Sequence, residues 1–517
     1  MTHQLTCSLV TVAKHCMIAA ALMVMVMPTK NVEASANDTL AIRKTREGMI
    51  NVISFMKTRP DIFPSVKKNE KQLFTHAQRQ AAWQTWQTFL DQVLAFDTLG
   101  QKYSAVYKDS NGAQKKEPFY LAYAAFLAQY RLAMDFINIT ENNPSLHIVL
   151  NEPVPELGLP KGSYSRLKYR FLNVLRGAEF ARLSVLYQYY SNNGPVPLQE
   201  AIEEDSKLIW QAGKGKGPKQ TARNALQIVK DQGFTAWFPV QKQVSEWMSD
   251  IKVWRKGKML ISDQQIKGMI GRLEPGDVLL ERREWFMTNV GMPGFWPHAA
   301  LYIGSPAQRE KYFDDPQVET WIKSKGHSEG TFEDLLRTNY PGDYGISTSP
   351  DRLGETVRVI EAKGEGVIFT SLEYSAGADS VVAMRPRLSK VAKARAIARA
   401  FNYSGRPYDF NFDFLTDEKL VCTELVYKAY EGTAEIKGLD LPVADIMGRK
   451  VTPANLFAKL FDEEYGTERQ QFDFVFFFDG DERKEGAFEA EVDAFRSSWK
   501  RPKWHIIIKD TPFETVE

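Results

Sequence analysis

The spacing of apolar residues changes once along this chain, near residue 260, and that change constrains the fold more than any other feature. From about 38 to 255, apolar side chains recur at the interval of helices packed on one another. In "AAWQTWQTFLDQVLAF" (81–96), Trp83, Trp86, Leu90, Val93 and Leu94 share one face. "PFYLAYAAFLAQYRLAMDF" (118–136) is apolar nearly all round, as a buried helix is, and 163–190 reads as a third helix. A Pro-rich connection over 151–162 joins neighbouring helices. This region is expected to be a helical bundle whose Trp and Tyr side chains serve core packing rather than a ligand groove.

After residue 260 short β-like runs follow one another, separated by Pro and Gly: "GDVLLER" (276–282), "HAALYIG" (298–304), "TVRVIEA" (356–362), "GVIFTSL" (366–372) and "SVVAMRPR" (380–387). Two helices come next, one over 390–403 and one beginning near Cys422. Strands grouped with strands and then helices predict an α+β domain on an antiparallel sheet. A long polar insertion, roughly 305–355, separates the second and third strands.

A chain of 517 residues exceeds what one hydrophobic core supports, about 250 to 300 residues. The expected division is a signal peptide over 1–36, a helical domain over 37–260, an α+β domain over 261–465 and a C-terminal extension over 466–517 that packs on it. The leader is read from the apolar core 16–28 and the small residues "ASA" (34–36), with cleavage after Ala36. The product is expected to be exported, periplasmic or secreted, with no membrane segment after the leader is removed. With 66 basic and 64 acidic residues the chain has no nucleic-acid footprint. Nothing in the pattern bears on oligomeric state.

Export leaves Cys422 as the single thiol, since Cys7 and Cys16 lie in the leader, so no internal disulfide is possible. "EKLVCTELVYKAY" (418–430) puts that thiol where an extended stretch turns into a helix. Unpaired N–H groups and the positive end of the helix favour a thiolate there and could hold an oxyanion. The plainer alternative is a small buried hydrophobe.

A nucleophilic thiol needs a base, and His76, His147, His298, His327 and His505 are available. His298 opens a strand, where alternation can turn its ring toward the cysteine helix. Glu361 ends the strand after the insertion and could fix the imidazole tautomer if the two strands pair. There is no paired-cysteine spacing and no HExxH, so neither a metal nor a cofactor is implied.

Taken together, "LEPGDVLL" (273–280), "WPHAALYIG" (296–304), "VIEAKGEGV" (359–367) and "GRPYDFNFDFLTDEKLVCTELVYKAY" (405–430) resemble the permuted papain-like amidases of the YaeF/YiiX type. These are relatives of the NlpC cell-wall hydrolases and of lecithin:retinol acyltransferase. The resemblance covers about 268–432 and implies a circularly permuted papain-like (NlpC-like) domain, behind an all-α domain that the small members lack. It implies Cys422 as nucleophile, His298 as base, Glu361 as the residue that orients it, and Tyr408 near the oxyanion site.

Combined with export, the resemblance favours an amidase or peptidase acting on a peptide or peptidoglycan fragment. "EWFMTNVGMPGFWPH" (284–298) suggests an alternative, because Trp285, Phe286, Met287, Phe295 and Trp296 could form a wall for an acyl-lipid substrate. A non-catalytic envelope-binding protein is the third reading.

Overall fold

The computed structural model describes residues 30–64, 72–141, 143–172, 174–191, 196–213, 259–283, 292–328, 330–407, 421–446, 449–481 and 484–503. The first half is helical, as its periodicity requires. Its longest elements are the helices Lys30–Thr58, His76–Asp109 and Lys116–Thr140, joined by Ser163–Leu172, Val174–Ser191 and Gln199–Gly213. A capping box starts the second of these: the Thr75 side chain accepts from the Gln78 N–H, and Gln78 reaches back to Thr75. Trp86 sits at the centre of the bundle, fully buried, with its ring centroid 5.1 Å from that of Phe136 and 5.7 Å from that of Tyr164. Its indole N–H donates to Ser163 Oγ at 2.9 Å, so burial leaves no donor unmet there. The Pro-rich connection holds a single 3-10 turn, Pro155–Leu157, closed by a bridge between Val154 and Leu159. Most of the leader lies outside the described residues, and the helix Lys30–Thr58 runs through the expected cut after Ala36. Among the described residues no helix is long and apolar enough to cross a membrane.

The second half is built on one antiparallel sheet of seven strands. In chain order these are β1 (Val278–Arg282), β2 (His298–Tyr302), β3 (Val357–Lys363), β4 (Gly366–Ser371), β5 (Ser380–Pro386), β8 (Phe472–Asp481) and β9 (Gly486–Ala490). Across the sheet they run β4-β3-β2-β1-β5-β8-β9, and β6 (Ala444–Ile446) and β7 (Arg449–Val451) form a separate hairpin. Segment 466–517, expected as an extension packed on the domain, thus supplies two strands of the sheet itself. The insertion between β2 and β3 holds four short helices, Pro306–Tyr312, Pro316–Ser324, Phe332–Asn339 and Pro341–Thr348.

Both faces of the sheet are covered, which is why its strands read as almost unbroken apolar runs. Alternation sends Val278, Leu280, Ala299, Leu301, Ile360 and Ala362 to one face, beneath the helices Lys390–Asn402, Cys422–Tyr430 and Ala454–Glu464. Leu279, Ala300, Val359 and Ala383 point the other way, onto Ile266 and Met269 of the helix Asp263–Ile270.

The helical and α+β parts meet through the end of the described chain. Lys503 Nζ pairs with Asp91 Oδ1 at 2.8 Å, and both side chains are buried. Gly158 accepts from the Lys503 N–H at 3.2 Å, and Lys459 pairs with Glu156 at 2.8 Å.

Candidate active site

Two local sequences deliver the thiol and the ring. Val421 is extended (φ −92°, ψ 163°), and the helix begins at Cys422, so the sulfur stands beside the first turn's N–H groups. Leu425, Val426 and Ala429 are buried and fasten the helix to the sheet. His298 is the first residue of β2, brought in by a strap over 292–297 that is itself pinned. Asn455 Oδ1 accepts from the N–H groups of Phe295 (3.0 Å) and Trp296 (3.2 Å), and the Arg282 guanidinium donates to the Phe295 carbonyl. Gly294 allows the close approach. Its φ is +82°, and a Cβ there would lie 2.3 Å from Asn455 Cγ.

Asn455→Ala removes the acceptor of two buried backbone donors. We expect it to cost about 2–4 kcal/mol of stability, read as a fall in melting temperature, and to lower turnover through displacement of His298.

The register between β1 and β2 sets Glu281 directly opposite His298, and the β2–β3 register (Leu301 opposite Ile360) leaves Glu361 diagonal to it. All three fall on one face by alternation, the face opposite the one that the cysteine helix covers, so the alternation expected to turn the His298 ring toward that helix does not do so. His298 Nε2 meets Glu361 Oε2 at 2.8 Å, and the ring and the Cys422 thiol are close enough for each to shift the other's pKa. Glu361 is fully buried, takes a hydrogen bond from Thr370 Oγ1 at 2.7 Å and pairs with Lys363 Nζ at 2.8 Å. Cys422 Sγ receives the N–H groups of Ala299 and Thr423 and lies 3.9 Å from the Pro297 carbonyl oxygen.

Electrostatics follow from these contacts. Burial pushes the Cys422 thiol up, but the imidazole beside it and the two N–H donors pull it below its ordinary value. Burial also disfavours the charged form of His298, yet Cys422 and Glu361 outweigh it, and the imidazole is pushed up to about 10. Glu361 is held well below the usual carboxylate range: Lys363 and the His298 ring overcome its desolvation. Each shift favours the ionised form of its group.

Glu281 is a member of this cluster that no motif singled out. It is 1% exposed, and its Oε1 accepts from Ser375 Oγ. Burial first, and then the neighbouring Glu361 charge, raise its pKa. The sequence shows it only as the charged end of "GDVLLER", which reads as a solvent-facing strand terminus. Donor atoms of Glu281, His298 and Glu361 lie within 4.8 Å of one another, the spacing of a metal site. Lys363 at 2.8 Å from Glu361 and Arg283 at 3.8 Å from Glu281 already supply positive charge to both carboxylates.

The other histidines lie elsewhere. His76 is exposed at the start of its helix, His147 packs its ring edge-on to Tyr164, and His327 lies 3.7 Å from Asp334 in the insertion. His505 and Tyr408 are outside the described residues, as are Trp285, Phe286 and Met287. The two described members of the aromatic stretch are packed in the core. Trp296 is fully buried with its indole N–H on Ser498 Oγ, and Phe295 lies edge-on against it.

No curated protein and no solved structure matches the chain. A family model does, over less than half its length. That family implies cysteine-hydrolase chemistry of the papain-like amidase kind, in agreement with the resemblance carried by the four motifs. Residues 272–473 match the family described as permuted papain-like amidase enzyme, YaeF/YiiX, C92 family.

Proposed function

We propose that the protein is an exported cysteine amidase or peptidase, that Cys422, His298 and Glu361 act as nucleophile, base and orienting carboxylate, and that its substrate is a cell-envelope peptide such as a peptidoglycan stem. The observation that carries this reading is the His298 imidazole, which meets the Glu361 carboxylate at 2.8 Å and shifts the buried Cys422 thiol toward its ionised form.

The thiolate adds to the amide carbonyl, and charge on the carbonyl oxygen is met by N–H groups at the start of the cysteine helix. The C–N bond breaks as His298 gives its proton to the leaving amine, and an acyl-thioester remains on Cys422. Water then attacks the thioester while His298 takes its proton. The carboxylic acid leaves, and the thiolate–imidazolium pair is restored. Glu361 keeps the ring in the tautomer and orientation that both transfers need. The general base contributes about 10²- to 10⁴-fold.

The acyl-lipid alternative loses support at Phe295 and Trp296, whose burial takes them out of any open wall. Purified muropeptides and phospholipids, offered separately, decide between the substrates. An acyl-enzyme on Cys422 trapped only from phospholipid would overturn the peptidase reading.

The pH dependence is a further expected result. Iodoacetamide should label Cys422 well below the ordinary thiol range near 8.5, and His298→Ala should move labelling to higher pH, because only the Ala299 and Thr423 N–H groups then oppose burial. Turnover should rise as the thiol ionises and fall through pH about 10 as the imidazolium loses the proton it must deliver. Glu361→Gln removes the charge that favours the imidazolium and should shift that alkaline limb to lower pH. Labelling of the native protein only at ordinary thiol pH would leave a non-catalytic binding domain as the better reading.

A further inference from the structure

The helical half contains a cavity of about 430 Å³, bounded by the helices His76–Asp109, Lys116–Thr140 and Val174–Ser191. That volume falls within the roughly 300–1,000 Å³ of small-molecule sites. One stretch of its wall is apolar, made by Phe96, Phe119, Tyr123, Phe126, Leu183 and Leu186, and charged and polar side chains form much of the rest. Gly100 lies in the lining and opens it, for a Cβ built there meets nothing within 4 Å. A glycine inside a helix is less favourable than alanine, and here it leaves space where a side chain would stand.

Charge around the cavity is unbalanced. Asp97 is taken up by Arg170, through bonds of 2.7 and 2.5 Å, and by Gln129 at 2.7 Å. Glu179 pairs with Arg176 at 2.9 Å. Two more cations, Lys108 and Arg182, line the cavity and are exposed, and among the described residues neither has an acidic partner. An apolar wall edged by two cations that have no acidic partner among the described residues selects a molecule with a hydrocarbon body and an anionic head.

We propose that this cavity binds a single-chain acyl carboxylate, with the chain along the aromatic wall and the head between Lys108 and Arg182. The site is separate from the thiol chemistry, so its occupancy does not depend on Cys422.

The test is isothermal titration of the full chain with dodecanoate, in the native protein and in Cys422→Ala. We expect saturable binding at one site, equal in the two proteins. Decanoate should bind about tenfold more weakly, since each methylene is worth about three- to fourfold. Dodecyltrimethylammonium should bind at least about tenfold more weakly than dodecanoate, because its head is repelled. Lys108→Glu with Arg182→Glu, both on the surface, should weaken dodecanoate by about tenfold. Gly100→Leu should abolish binding while keeping or raising the melting temperature. Binding that ignores head charge, or that survives Gly100→Leu, would overturn the proposal. So would affinity for phosphatidylglycerol vesicles without affinity for dodecanoate, which would point to a membrane surface instead.

Discussion

Cys422→Ala is expected to lower turnover by at least about 10⁴-fold, because losing the nucleophile removes the covalent route altogether. The fold should survive it. Cys422 is 1% exposed, and alanine differs from it by one buried sulfur, a loss on the order of 1 kcal/mol. Cys422→Ser is the sharper variant. It keeps the size and a hydrogen-bonding atom, but its hydroxyl stays neutral where the thiol ionises, so it too should be inactive. Steady-state rates on a muropeptide, with melting temperatures measured alongside, separate lost chemistry from lost structure. Full activity in either variant would remove the basis of the proposed mechanism.

Lys503→Met is expected to have the largest effect on stability. It takes the paired cation from the Asp91 carboxylate, which is 1% exposed and also accepts from the Gln87 amide at 2.6 Å. Breaking one side of a buried ion pair costs about 3–5 kcal/mol, or a fall of roughly 10 °C for domains of this size. Burial lowers the Lys503 pKa, and Asp91 opposes the shift. Replacing both, Asp91→Leu with Lys503→Met, should recover most of the loss, since the desolvation cost disappears with both charges. A double variant no more stable than Lys503→Met alone would argue that packing around the lysine stem, rather than charge, holds the two halves together.

Five strands of the sheet were readable to within two residues, because runs such as "VRVIEA" and "SVVAMRP" combine β-branched content with Gly and Pro at their ends. "FDFVFFFDGD" carries as strong a strand signal, yet it follows the helix Ala454–Glu464 and pairs with β5, far back in the chain. Local pattern says that a strand exists and is silent on its neighbour. The reading of 163–190 as helical agrees with the helices Ser163–Leu172 and Val174–Ser191, because apolar residues recur at helical spacing through both. At the site, the types and order of Cys422, His298 and Glu361 were legible from motifs. Glu281 was not, because its position depends on strand register, and a charged residue ending an apolar run looks solvent-facing until a second layer covers it.

The insertion leaves the sheet at the end of β2 away from His298. Ile303 and Gly304 both donate to the Arg358 carbonyl, at 2.8 and 3.1 Å, which clasps the base of the loop where β3 begins. Four residues of strand, roughly 13 Å, separate that clasp from the imidazole. The four helices are therefore rooted at the end of β2 opposite the imidazole, and a change in their length enters the sheet there rather than beside His298.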